Sequence, residues 1–360
     1  MGRERDLSGG PGAAQQHAPK PSSSFWPSYN PGVIEEIAGG IWQITHELAP
    51  GIPVHVHLVR GEYGVLVDSG VATTYPLIRA ALFESGLIAP SEIKLVFNTH
   101  GHHDHIGSNR QLKQATGALI AAPVGAVPWI EDHQRHLREF VFHHPDLLPE
   151  TPALRREIGD TMDGEVRVDL PIQEGFSLNL GSGRRLEAIS LPGHVSAELA
   201  YYERASATLI LGDAVTRADI PFFQGHMLPV AYRATLAKLR TLVRDLPVRL
   251  VAPAHYPLLD APAFLALLER TAAHLDEVDA LVAEQVRRSA GQSPAGSAGQ
   301  SPAGSAGQAT LGAVWRGVCA AAGKQPEFRS LAMVEAHLQQ LAAEGKVVRS
   351  GPDQFTWIAR

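Results

Sequence analysis

The chain lacks several features that would mark common classes of protein. It has a single cysteine, Cys319, in 360 residues, which excludes an internal disulfide framework and a metal site built from several cysteines. Cations are not in excess, since 31 Lys and Arg face 37 Asp and Glu and give a formal net charge of −6. A protein built mainly around nucleic-acid phosphates needs the opposite balance. No window reaches the roughly 18–20 consecutive apolar residues of a membrane span, so we expect no membrane partner.

Two segments of the chain are too poor in apolar residues to build a core. Residues 1–27 are rich in Gly, Ser, Pro and Gln and lack the apolar run of a signal peptide, so we expect a disordered tail and a cytoplasmic protein. The Gly/Ser/Ala/Pro repeat at 290–308 predicts a flexible linker. The sequence therefore predicts a large body at 28–289 and a small C-terminal unit at 309–360, loosely joined.

Within the body, short apolar runs alternate with helical patterns. The runs predict strands and the periodic segments predict helices, which together indicate a mixed α/β fold. Residues 127–156 have an apolar helical pattern without a strand signal, and we interpret them as a helical lid. The predicted strands lie at 64–70, 93–97, 208–213 and 248–253, and the predicted helices at 75–87, 108–116, 232–245 and 261–289.

Histidine is the residue in excess, with 17 copies. Four histidines and one aspartate lie within six residues just after the run at 93–97, in the order His100-Gly101-His102-His103-Asp104-His105. Imidazole nitrogens and carboxylate oxygens are ligands that zinc and related divalent ions accept. We interpret His103 as a spacer within this motif or as a group that lies just outside the ligand set. The motif predicts a metal site at the end of a strand.

Three further candidates also follow predicted strands or apolar runs. They are His194 after a Pro-Gly turn, Asp213 at the end of the run 208–213, and His255 just after the run 248–253. Side chains at the carboxyl ends of separate strands can converge on one point. We therefore expect these three residues to join the His100–His105 motif at one metal site.

In this order, these residues resemble the metallo-β-lactamase superfamily over roughly 36–260. The run 64–70, with Asp68, looks like an early strand-and-turn motif of that family. The resemblance implies a four-layer αββα sandwich with the metal site at one edge between two sheets. It also implies two divalent metal ions, zinc first, with Mn²⁺ or Fe²⁺ as alternatives. The implied ligands are His100, His102 and His194 for the first ion, Asp104, His105 and His255 for the second, and Asp213 as the bridge.

The function implied is hydrolysis by a dinuclear metal enzyme, in which a metal-bridging hydroxide cleaves a small-molecule thioester, lactone or ester. Asp104 is the expected catalytic residue, which orients the nucleophile and carries a proton to the leaving group. Asp68 either holds a ligand histidine in its tautomer or merely begins a turn. His102 stands where the di-iron oxidoreductase branch has Glu, which favours hydrolysis. The alternatives are a metal-dependent endoribonuclease, a β-lactamase, and a hydrolase of carbon–halide bonds or sulfate esters.

Residues after Asp213 and in the C-terminal unit bear on the substrate. Phe222, Phe223 and His226 resemble a loop that lines the pocket in such folds, so we expect a substrate contact from at least one of them. No basic cradle for glutathione is evident after Asp213 or in the C-terminal region, which disfavours a glutathione thioester.

The C-terminal unit predicts a helix at 309–322, a helix at 330–345 and a hairpin, an order that resembles the winged-helix module of the lactamase-like (LACTB-type) branch. Its six cations and four acids leave a charge of +2, and residues 331–340 contain no Lys or Arg. Because a recognition helix needs cations, we do not expect a nucleic-acid partner. Packing against the body or a homodimer contact is the better interpretation.

Overall fold

The structure, a computed structural model, describes residues 34–218, 223, 225–291, 309–351 and 354–357. The tail predicted at 1–27 lies outside the described residues, as does Phe222. The linker predicted at 290–308 also lies outside them, except that its first two residues still belong to a helix. Among the described residues, no helix combines the length and apolar character needed to cross a bilayer.

The first sheet has seven strands, arranged in the order in which they occur along the chain. The first four strands pair antiparallel, and the pairing is parallel from the fourth strand onward. The seven strands are β1 (Ile34–Ala38), β2 (Ile41–Ala49), β3 (Ile52–Arg60), β4 (Gly64–Val67), β5 (Ile93–Phe97), β6 (Leu119–Pro123) and β7 (Leu170–Ile172).

The second sheet has five strands in the order β12-β11-β10-β9-β8. These are β8 (Ser177–Gly181), β9 (Arg184–Ser190), β10 (Leu199–Glu203), β11 (Thr208–Gly212) and β12 (Leu250–Pro253). β11 and β12 pair parallel, whereas the other neighbours pair antiparallel. Each sheet therefore has a parallel part whose carboxyl ends carry the candidate ligands.

Helices cover the outer face of each sheet. In β4, Val65 and Val67 lie in the core between the sheets, while Leu66 packs in the core beneath the outer helices. The body helices are α1 (Tyr75–Ile78), α2 (His103–Ile106), α3 (Asn109–Thr116), α4 (Val127–Glu131), α5 (His133–His136), α6 (Pro152–Gly159), α7 (Pro229–Asp245) and α8 (Ala261–Gly291). A π-helical turn, Arg79–Glu84, extends α1, and another, Leu137–Val141, follows α5.

The arrangement is the predicted αββα sandwich. All four predicted strands and all four predicted helices of the body are present, with ends shifted by no more than three residues. The segment predicted as a helical lid contains α4, α5 and the first part of α6. These elements follow local apolar periodicity, which explains why the sequence was sufficient to place them.

The C-terminal unit contains two helices and a three-stranded antiparallel sheet. Its elements are β13 (Ala309–Thr310), α9 (Leu311–Ala322), α10 (Phe328–Ala343), β14 (Val347–Arg349) and β15 (Gln354–Trp357). Helix α10 begins two residues earlier than predicted, because Glu327 and Ser330 form a reciprocal capping box.

An apolar core joins the C-terminal unit to the body, in contrast to the loose connection expected from the linker. Val282 and Val286 of α8 are fully buried in one cluster with Val314 and Trp315 of α9. Polar contacts add to this, as Nδ1 of His337 lies 2.5 Å from Oδ1 of Asp279 on α8. The unit therefore packs on the body, which is one of the two roles that the sequence favoured, and the homodimer contact stays a prediction.

Candidate metal centre

The candidate ligands lie where strands of the two sheets end. The motif at 100–105 follows β5, Asp213 follows β11 directly, and His255 lies two residues after β12. His194 is in the loop after β9, next to Gly193. Gly193 has a φ of +151°, and a Cβ there would lie 2.4 Å from Tyr232, so only glycine allows this approach.

The seven predicted ligands form two neighbouring groups. Within each group, one ligand atom from every residue lies within 4.8 Å of the others. The first group consists of His100, His102, His194 and Asp213, and the second consists of Asp104, His105 and His255. The structure thus brings together every metal ligand that the sequence predicts, and the division into groups is the one implied by the family resemblance.

Asp213 lies between the two groups. Its Oδ2 is 3.6 Å from Nε2 of His194 and 3.5 Å from Nε2 of His105, and its Oδ1 is 3.4 Å from Nε2 of His255. One carboxylate therefore faces donors of both groups, as a bridging ligand must.

The histidine nitrogens have the arrangement expected of metal ligands. Nδ1 of His255 donates to the carbonyl of Pro53 over 2.7 Å, and Nδ1 of His194 donates to the carbonyl of Gly225 over 3.0 Å. Because carbonyls only accept hydrogen bonds, each Nδ1 carries a hydrogen, and in the neutral imidazole Nε2 is the atom that remains available to a metal ion. Nε2 of His100 and of His105 are also buried, without a hydrogen-bond partner among the described residues. Buried ring nitrogens without a hydrogen-bond partner are suited to binding divalent cations, and the two groups provide them for two ions.

Carboxylates in the centre raise the pKa of two of the candidate histidine ligands. Burial opposes the charged form of His255, but the carboxylates of Asp213 and Asp104 raise its pKa to about 10. Burial likewise opposes the charged form of His105, while Asp68, Asp213 and Asp104 hold its pKa well above the usual value. In these two residues, protons balance the carboxylates. A divalent cation supplies the same positive charge, so metal binding must displace protons.

Asp68 contacts a ligand of the second group directly and a ligand of the first group through Thr99. Its Oδ2 lies 2.8 Å from Nδ1 of His105, and its Oδ1 accepts the backbone N–H of Thr99 over 2.7 Å. The Thr99 hydroxyl lies 3.0 Å from Nδ1 of His100. Asp68 has a φ of +61°, a conformation that a non-glycine residue adopts only when its surroundings hold it. The geometry thus fits the expectation that Asp68 holds a ligand histidine in its tautomer.

Glu198 is a supporting residue that sequence reasoning missed. Its carboxyl is fully buried, accepts the backbone N–H of Asp213 over 2.8 Å and lies 3.8 Å from Nδ1 of His100. Burial, with Asp213 nearby, raises the pKa of Glu198 well above its usual range. The available signal was an acid directly before the apolar strand β10, four residues after His194.

A pocket opens beside Asp104, the most exposed of the seven, whose side chain is 15% exposed. Part of the pocket wall is apolar, and one cationic side chain that lines the pocket, Arg329, comes from the C-terminal unit. The apolar lining residues are Leu48, Ile52, Phe140 and Met227.

Arg329 occupies the first turn of α10, where the helix dipole disfavours a cation. Glu327 compensates through an ion pair of 2.8 Å, and the guanidinium also lies 4.4 Å from the ring centre of Phe328. The sequence predicts that this helix begins at residue 330, after Arg329, and so did not place Arg329 at the pocket. The C-terminal region therefore does supply a cation to the pocket.

The predicted lid packs over the centre. The Phe140 ring stacks on His102 with 4.2 Å between ring centres, and Trp129 stacks on the same histidine at 6.0 Å. Phe140 also meets Phe328 of the C-terminal unit edge-to-face at 5.1 Å. The lid is thus the layer between His102 and the C-terminal unit.

The remaining predicted site residues lie around the pocket or away from it. His103 lines the pocket but belongs to neither ligand group, and its Nδ1 lies 3.1 Å from Oγ1 of Thr161. Phe223 and His226 instead line a separate small cavity with His274 at the junction with the C-terminal unit. The structure gives no support for a substrate contact from Phe223 or His226.

A sequence model described as the metallo-beta-lactamase superfamily matches residues 49–255, more than half of the chain. A hydroxyacylglutathione hydrolase from Methylococcus capsulatus is 27% identical over 120 residues, which is 33% of this chain and 33% of that protein. The match thus spans about a third of that curated relative.

Two solved structures share the fold. A metallo-beta-lactamase family protein from Thermus thermophilus superposes with a TM-score of 0.66 at 19% identity, covering 90% of this chain and 100% of the other. A beta-lactamase domain protein from Burkholderia ambifaria gives 0.63 at 17% identity, covering 94% and 96%. Both alignments extend beyond the metal-binding body, since they cover nine tenths or more of this chain.

Proposed function

The chain belongs to the metallo-β-lactamase superfamily, and we propose that it is a dinuclear metallo-hydrolase that cleaves a small-molecule thioester, lactone or ester. The observation that carries the proposal is the position of Asp213, between two groups of buried donors and beside an open pocket. Zinc is the metal we expect first, because imidazole and carboxylate ligands suit it. A cytoplasmic location is part of the proposal and depends on composition alone.

The residues that would hold the two ions are the two groups described above, with Asp213 shared. Two divalent cations bound there would supply a water-derived nucleophile near neutral pH and polarise the scissile carbonyl. The protein contributes a rigid, mostly buried set of donors whose orientation is fixed by Asp68 and the backbone carbonyls of Pro53 and Gly225.

Asp104 is the proposed catalytic residue. Its carboxylate faces the pocket, and its Oδ2 lies 3.3 Å from Nε2 of His255. Burial favours the neutral acid, but His103, His105 and His255 hold the pKa of Asp104 well below its usual range. An ionised carboxylate accepts hydrogen bonds and can orient the nucleophile, receive its proton and pass it to the leaving group.

The pocket wall supports a substrate with an apolar part and an anionic group. The apolar side chains would contact the former, and Arg329 would bind the latter. A guanidinium carries five N–H donors, so Arg329 can bind an anion while it retains its contact with Glu327. Arg329 supplies the cation whose absence had disfavoured a glutathione thioester. Glutathione thioesters are therefore among the candidate substrates, as the name of the curated relative also suggests.

A substrate panel tests this proposal. Metal-loaded protein is assayed with thioesters, lactones and carboxylic esters, each in an anionic and a neutral version of similar size. We expect hydrolysis of at least one class, lost on chelation and restored by zinc, with the anionic version preferred. Absence of hydrolysis across the panel with both sites loaded would refute the proposed substrate class.

The endoribonuclease alternative has less support, because the helix that would read nucleic acid is occupied by contacts with the body. Glu335 of α10 pairs with His144 at 2.9 Å, and His337 pairs with Asp279. Single-stranded RNA at low ionic strength is the direct test, since salt-sensitive binding would revive this alternative.

A further inference from the structure

A third group of metal-binding side chains lies where the lid meets the C-terminal unit. His143 and His144 follow the lid's π-helical turn, and Glu335 lies on α10, with one ligand atom from each within 4.8 Å of the others. We propose that this group binds a third divalent cation, zinc by its ligand chemistry, which clamps the lid onto the C-terminal unit. We call His143, His144 and Glu335 the clamp site.

His143 has the tautomer of a metal ligand. Its Nδ1 lies 2.8 Å from the carbonyl oxygen of Phe140, and because a carbonyl only accepts, Nδ1 carries the hydrogen. Its Nε2 is therefore a bare lone pair, which is buried and has no hydrogen-bond partner in the described part of the chain. Burying such an acceptor unpaired is costly, and a cation would satisfy it. The backbone carbonyl behind the ring is the usual support of a metal-bound histidine.

His144 and Glu335 complete the donor set. Nε2 of His144 lies 2.9 Å from Oε2 of Glu335, and their side chains are 26% and 20% exposed. The ring centres of His143 and His144 are 4.7 Å apart. Tetrahedral zinc with bonds near 2.0–2.1 Å places its ligand atoms about 3.4 Å apart, so ligand atoms that lie as far as 4.8 Å apart must approach, while the His144–Glu335 pair at 2.9 Å must separate slightly. The partial exposure leaves space for a water molecule as fourth ligand.

The clamp site joins parts of the chain that are 191 residues apart. Its His143 hydrogen-bonds the backbone of Phe140, the residue whose ring stacks on His102 at 4.2 Å. A cation at the clamp site would therefore hold the lid against α10 and fix Phe140 over the metal centre. This inference concerns a separate set of ligands and does not depend on the proposed hydrolase activity.

The test compares wild-type protein with His143→Ala, which removes one ligand and leaves the pair between His144 and Glu335 in place. Zinc per chain is measured by equilibrium dialysis and elemental analysis of the full-length proteins. We expect wild type to bind one equivalent more than His143→Ala, or to bind its last equivalent at least about tenfold more tightly. The matched control is His133→Ala, another half-buried lid histidine outside the clamp site, which should bind zinc as wild type does.

Thermal unfolding gives a readout independent of activity. Zinc in excess of two equivalents should raise the Tm of wild type and of His133→Ala, and should raise that of His143→Ala less. If His143→Ala does not fold, Glu335→Gln gives the same comparison. Equal stoichiometry, equal affinity and an equal zinc-dependent rise in Tm in wild type and the clamp variant would overturn the proposal.

Discussion

Nδ1 of His105 lies 2.8 Å from Oδ2 of Asp68, although the two residues are 37 positions apart. The same carboxylate contacts Thr99, which in turn lies beside His100. One side chain thus orients candidate ligands of both metal-binding groups. Its strained backbone, with φ at +61°, is maintained by these contacts.

The first prediction concerns this support. Asp68→Asn keeps the size of the side chain but weakens its bonds to His105 and Thr99. We expect metal affinity to fall by about 10–100-fold, with activity falling in parallel at limiting metal. Competition with a zinc chelator measures the affinity, and Asp169→Asn, an aspartate paired with Lys113 instead, is the control. Unchanged affinity in Asp68→Asn would mean that Asp68 only shapes the turn.

The second prediction separates the bridging ligand from a ligand of one group. Asp213→Ala should weaken both metals and abolish activity, because its carboxylate faces donors of both groups. His102→Ala should also abolish activity but lose mainly one equivalent of metal. Elemental analysis with a rate assay checks both variants against His133→Ala, which should keep both metals and its activity. Full activity in Asp213→Ala would refute the ligand assignment.

The third prediction concerns Arg329. Arg329→Gln should raise KM for an anionic substrate roughly 10–100-fold, since a hydrogen bond to a charged group contributes about 1.5–3 kcal/mol. KM for the neutral analogue and the metal content should change little. Arg316→Gln, at an exposed arginine of α9, is the matched control. Equal losses for both substrates would point to a disturbed fold and not to anion recognition.

The fourth prediction follows from a buried neutral histidine. Burial lowers the pKa of His57 to about 3, well below the 6.5 of an unfolded chain. Between these values the unfolded state binds the extra proton, so stability falls as pH falls from about 6.5, by at most about 1.4 kcal/mol per pH unit. Above pH 6.5 the effect is absent.

His57→Gln should therefore flatten this part of the stability profile. Chemical denaturation of the full chain at a series of pH values between about 4 and 7 measures it. A slope in His57→Gln identical to that of wild type would show that His57 is protonated in the folded protein or unburied.

The sequence was informative about the body because its signals are local. The apolar run at 93–97 and the motif at 100–105 together predict a strand that ends in candidate ligands, and the structure has the strand and groups the side chains of His100, His102, Asp104 and His105 with the other candidates. The sequence was less informative about which residues line the pocket. Phe223 follows the third predicted strand, as expected of a pocket residue, yet it packs in one apolar cluster with residues of α8 and of the C-terminal unit.

By itself, the sequence determined the strands and helices of the body, the motif at 100–105 and the two helices of the C-terminal unit. Each of these depends on neighbouring residues, through apolar periodicity, turns and metal-ligand spacing, whereas the sandwich and the full set of seven candidate ligands were implied by the family resemblance. Only the tertiary structure decided that Asp68 supports His105, that Arg329 reaches the pocket, and that His144 meets Glu335. These relationships depend on where the C-terminal unit docks and how the strand ends approach one another. Such long-range packing arises from the whole core, and no local pattern encodes it.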